Sequence, residues 1–128
     1  LTDAFPQAPA WAVLVTALAA VAAFVNHARF HRAGAGSVWS RRYFDPVLPR
    51  ELRNLGFAQR PAGIALVMWT LVLAYGWLPG SDALDVAAAL LIVASPAPLA
   101  ISVKRLYRPP EKAKPTWLVE EEAARRAG

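Results

Sequence analysis

The sequence contains no cysteine. Disulfides, thiolate metal centres, iron–sulfur clusters and cysteine nucleophiles are therefore excluded, and the thiols carry no record of redox compartment. Charge is missing from long stretches as well. Pro9–Val25, Pro61–Leu78 and Val86–Val103 contain no Asp, Glu, Lys or Arg. A span with no Asp, Glu, Lys or Arg lacks what a proton relay or coupled carrier generally places in its pathway. Also absent are a glycine-rich phosphate loop, carboxylates paired for acid–base work, and a serine–histidine arrangement. No catalytic residue is assigned, and no enzymatic activity is expected.

What is present is a chain of 128 residues, one domain in size, 56% hydrophobic, with 14 Lys and Arg against 9 Asp and Glu. The apolar and basic residues are segregated into blocks, which points to a bilayer rather than to nucleic acid. Each uncharged run is roughly 17–18 residues, near the shortest length that crosses a hydrocarbon core about 30 Å thick. The fold expected is an all-α membrane protein forming a single membrane domain over residues 1–128. Its spans fall at about 8–28, 61–78 and 86–105. An inner loop occupies 29–60, an outer turn 79–85, and an inner tail 106–128. The first span is not read as a cleavable signal peptide, because no basic segment precedes it.

Every Lys and Arg lies in one of two segments, between the first and second spans or after the third. The opposite ends carry only Asp3, Asp82 and Asp85. Basic loops are retained on the inner side of bacterial and organellar membranes, so the amino terminus is expected outside and the carboxyl terminus inside. The membrane would be the bacterial cytoplasmic membrane or an organellar inner or thylakoid membrane. Trp11, Tyr75 and Trp77 would mark the outer headgroup zone, and Trp39, Tyr43 and Tyr107 the inner one.

Within the membrane, the short Pro79–Asp85 connection makes the second and third spans antiparallel neighbours, with Ser81 or Asp82 as cap. Ala12, Thr16 and Ala20 form a ladder of small residues that permits close helix approach, as do Ala19 and Ala23. Pro96 and Pro98 lack amide hydrogens, so they free carbonyls near Ile92 and Ala94 and kink the third span. Thr16, Thr70 and Ser95 can bond their own helices. The Trp69 indole N–H is expected to donate to a nearby hydroxyl or freed carbonyl.

Outside the spans, Gly34–Ser37 reads as a flexible break. Pro49–Gly56 reads as a short interfacial helix (about 49–55) closed by Gly56, with Leu48, Leu52 and Leu55 dipping into the acyl boundary. Arg50 and Arg53, with Arg41 and Arg42 before them, would meet anionic headgroups or a partner's carboxylates. The segment from Thr116, which can act as cap, reads as a docking helix anchored on a partner by Trp117 and Leu118.

His27 and His31 stand four apart, one helical turn. That spacing can hold zinc, but no third ligand lies nearby in sequence, and no metal site is assigned. His27 is retained as a candidate haem or bacteriochlorophyll ligand, though the expectation for both histidines is a wet helix end. No cofactor is predicted beyond bound lipid and a tetrapyrrole or quinone contact. The function expected is a non-catalytic accessory subunit of a larger membrane complex, respiratory or photosynthetic, with other membrane subunits and anionic lipids as partners and no nucleic acid. Its rivals are a homo-oligomeric channel or transporter lined by Thr16, Thr70 and Ser95, and a pigment-binding subunit using His27.

Overall fold

The computed structural model describes residues 7–128, so Asp3 lies outside the described residues. Those residues are helical, with no strand among them. In chain order the helices are α1 (Ala10–Arg32), α2 (Val38–Tyr43), α3 (Arg50–Arg53), α4 (Leu55–Tyr75), α5 (Asp82–Ala94), α6 (Pro96–Tyr107) and α7 (Thr116–Ala127). A 3-10 turn, Glu111–Ala113, precedes the last. Three helical segments are long and apolar enough to cross a membrane: α1, α4, and α5 with α6. α5 and α6 run as one broken rod, Asp82–Tyr107.

α4 is the central helix. Gly56 and Gly63 lie two turns apart on it and so share a face. A Cβ on Gly56 would stand 2.6 Å from the Phe30 ring, and one on Gly63 would stand 2.9 Å from the Phe24 ring. Two phenyl rings of α1 thus rest on bare backbone, which is how helices approach closely without a hydrophobic driving force between them in lipid. Ala20 and Ala23 are buried on α1. Ala12 and Thr16, the outer rungs of that ladder, are half-buried. On the other side of α4, the Ser102 hydroxyl of α6 donates to the Ala58 carbonyl at 3.0 Å.

Prolines interrupt two of the three rods, and side chains compensate both. α4 begins at Leu55, more than a turn ahead of Pro61, so Pro61 lies inside the helix rather than at its start. A proline leaves the carbonyl four residues earlier without its amide donor. For Pro61 that carbonyl belongs to Phe57, and Arg105 Nη1 donates to it at 3.4 Å. For Pro96 it belongs to Ile92, and the hydroxyl of Ser95 donates to it at 2.9 Å. The expected break in the third span therefore falls at Ser95, between α5 and α6. Ser81 caps α5, its hydroxyl accepting from the Leu84 amide at 3.1 Å.

Two local expectations are corrected. Gly56 does not close the short helix: α3 is one turn, and Gly56 sits inside α4 under Phe30. The break falls instead at Asn54, whose side-chain amide donates to the Leu106 carbonyl at 2.8 Å and ties the elbow to the end of α6. The expected break at Gly34–Ser37 is present as a turn between α1 and α2. Gly34 and Gly36 both have positive φ, at 84° and 79°, a conformation that disfavours any side chain. Finally, Thr116 is the first residue of α7 rather than its cap, and Pro115 holds the capping position.

Candidate functional site

At the basic end of the helices, one turn past the apolar run, α1 presents Phe30. It is 2% exposed. Phe57, Trp39 and Trp117 meet it edge-on, with ring centroids 5.0, 5.5 and 5.9 Å away. Leu118 of α7 completes this cluster and is fully buried, at 0% exposure. The Trp117 indole donates to the Phe30 carbonyl at 2.7 Å. The apolar anchor assigned from sequence to a partner is therefore engaged within the chain. α7 lacks the length to persist alone in water, and tertiary packing supplies what it needs.

Polar contacts fasten the same cap. The Ser40 hydroxyl of α2 donates to Glu121, with oxygen distances of 2.7 and 2.8 Å. Lys114 is paired with Glu111 at 2.9 Å and Glu122 at 2.8 Å. Burial disfavours the Lys114 ammonium, but hydrogen bonds to Glu122 and Glu111 outweigh it and hold its pKa above the ordinary lysine value. Burial also pushes the nearby Tyr43 phenol up, and the Glu122 carboxylate adds to that shift. Arg125 stacks on the Phe44 ring, 3.9 Å from its centroid.

Beside this cap lies a polar cavity of about 280 Å³. His27 and His31 of α1, Arg60 of α4, Arg105 of α6 and Lys112 of the 3-10 turn line it, with Ala113. The two imidazoles stand 4.4 Å apart between centroids. No carboxylate lines the cavity. Among the described residues, Arg60, Arg105 and Lys112 form no ion pair, and the neighbouring Glu111 is turned to Lys114. Three permanent cations repel a metal ion from this position. No group of three or more His, Cys, Asp or Glu suited to a metal occurs among the described residues. His27 thus faces a cationic pocket rather than an apolar one.

The remaining sequence-assigned residues are dispersed. Thr16 donates to Ala12 and Val13 carbonyls, Thr70 to Leu66 and Ser95 to Ile92, so each hydroxyl is satisfied on its own helix. Trp69 is 41% exposed on α4. Its expected bond to a hydroxyl or a freed carbonyl is not formed among the described residues. Pro98 is half-buried and Pro96 exposed. Arg41, Arg50 and Leu52 are exposed, and Arg53 and Leu55 half-buried. Arg42 stacks on Trp39 at 5.1 Å and, with Arg29 and Arg32, lines a second crevice on another side of α1.

Sequence reasoning missed Arg60, Arg105 and Lys112 as neighbours of the histidines. A depth argument could have found two of them. His27, Arg60 and Arg105 each lie one or two residues beyond an uncharged run on the same side. Parallel and antiparallel rods of equal length bring such residues to one level. No protein-family model, curated protein or solved structure matches this chain.

Proposed function

We propose that the chain is a non-catalytic subunit that packs in the plane of a larger membrane complex and helps assemble or stabilise it. The observation behind this reading is the contrast between its ends and its flanks. The basic end is closed by the chain's own cap, whereas Leu14, Leu18 and Val21 of α1 and Val86, Leu90 and Val93 of α5 remain exposed. So much uncovered apolar surface needs lipid or other helices around it. α1 and α4 meet closely at Ala20, Ala23 and Gly63. The groove of about 470 Å³ beside that contact is lined almost wholly by apolar side chains such as Val21 and Val67, which suits a packing element better than a conduit. We place the basic end on the inner side, on the asymmetry of Lys and Arg, with anionic lipid beside it and an energy-transducing complex as host.

Native mass spectrometry of the detergent-extracted protein tests the assignment. One copy held among unlike subunits is the expected result. Identical copies alone would replace it with a channel, and a bound tetrapyrrole with a pigment carrier. Orientation is tested separately, since a chain without cysteine allows clean labelling. A thiol introduced by Arg42→Cys should resist an impermeant reagent applied outside intact cells.

A further inference from the structure

The geometry points to the cavity between His27, His31, Arg60, Arg105 and Lys112 as a binding site for a phosphate group. The inference concerns the ligand of this pocket and is independent of whether the chain serves as a subunit. It begins with charge. Lys114 pairs with two carboxylates and Arg125 with one, and the other basic side chains form no ion pair among the described residues. Around the cavity, four separate elements instead bring basic side chains together with no carboxylate between them. Like charges so gathered raise the energy of the folded chain unless an anion sits among them.

Donor chemistry narrows the anion. Arginine and lysine only donate hydrogen bonds, and each neutral imidazole contributes one more N–H. An oxygen-rich acceptor with several lone pairs matches that set. Arginine's fork engages two phosphate oxygens at once, and lysine adds a compact point charge. Size narrows it further. About 280 Å³ falls just below the roughly 300–1,000 Å³ of pockets that enclose drug-sized ligands. The cavity accommodates a phosphate with its immediate ester substituent, not a whole lipid or nucleotide. Two sources share this chemistry, the headgroup of an anionic phospholipid and free phosphate.

Arg105 also holds the Phe57 carbonyl freed by Pro61, so its guanidinium is anchored before any ligand arrives. For the same reason it is a poor residue to remove in a test. Arg60 and Lys112 are exposed and lie on different elements, so Arg60→Gln with Lys112→Gln should leave the fold intact. Arg29→Gln, in the separate crevice shared with Arg32 and Arg42, serves as the charge control. Full-length protein in neutral detergent would be titrated with inorganic phosphate. In parallel, it would be incorporated in equimolar phosphatidylglycerol–phosphatidylcholine vesicles, extracted, and examined by native mass spectrometry for retained lipid.

Saturable phosphate binding that weakens about tenfold or more in the double variant, but not in Arg29→Gln, supports the site with free phosphate as ligand. Retention of phosphatidylglycerol over phosphatidylcholine, lost in the double variant alone, supports it with the lipid headgroup as source. An equal loss in Arg29→Gln would reduce the effect to general basicity and overturn the proposal. So would binding of neither probe, or binding that the double variant leaves unchanged while its thermal stability matches the parent.

Discussion

Gly56 and Gly63 repay comparison, because the same substitution should act differently at each. A methyl at Gly56 would meet the centre of the Phe30 ring, which is enclosed by Trp39, Phe57 and Trp117 and has nowhere to move. At Gly63 it would meet the far edge of Phe24, a ring 38% exposed and able to swing outward. Gly56→Ala should therefore cost about 1–3 kcal/mol, as overpacking in a closed core does, and Gly63→Ala clearly less. Thermal unfolding of both variants in one detergent would check the order. Lys114 and Tyr43 make a second residue-scale case. Both hold their protons more tightly in the folded chain than in the unfolded one, where the ordinary values are 10.5 and 10.0. The stability they confer is complete below about pH 10 and is lost as pH rises through the folded values. A melting-temperature profile from pH 8 to 11 should be level at first and then fall. In Lys114→Met, which leaves Glu122 without its ammonium, the profile should start lower and fall less steeply.

At Pro61 and Pro96 the helices tolerate proline because another side chain answers the freed carbonyl. Ser95 does so for Pro96 within the same rod, and Arg105 does so for Pro61 from the neighbouring one. The Ser95 hydroxyl should accordingly matter only while Pro96 is present. Ser95→Ala is expected to cost about 1 kcal/mol in the parent chain. In a Pro96→Ala background, where an amide hydrogen can return to Ile92, it should cost close to nothing. A double-mutant cycle that gave simple additivity would refute the pairing. At this scale much was legible in advance. The three uncharged runs locate the rods, Ser81 or Asp82 the cap of α5, and Pro96 with Pro98 the break, because each follows from chemistry within one turn of sequence. The start of α4 was not legible. Pro61 carries the mark of a first helical turn, and only α6, arriving with Arg105 and Ser102, makes it acceptable further in.

The molecule as a whole consists of three apolar rods and a cap that fastens their basic end. Leu118 is the centre of that cap, so a carboxylate there would be buried without a partner. Leu118→Asp should cost about 3 kcal/mol or more and release α7 while leaving the rods helical. Trypsin cleavage after Lys112, measured beside the circular dichroism of the same sample, should then accelerate. Loss of the rods together with α7 would show instead that cap and spans fold as one unit.

Sequence by itself determined the rods, their uncharged interiors and the gathering of all basic residues toward one end. Preference for oil or water is a sum over consecutive side chains and needs no knowledge of what lies opposite. Tertiary structure alone decided which surface Trp117 and Leu118 cover, why Gly56 must be bare, and what surrounds His27 and His31. Those outcomes depend on packing and electrostatic contacts between residues far apart in the chain, which take effect only after the helices have met.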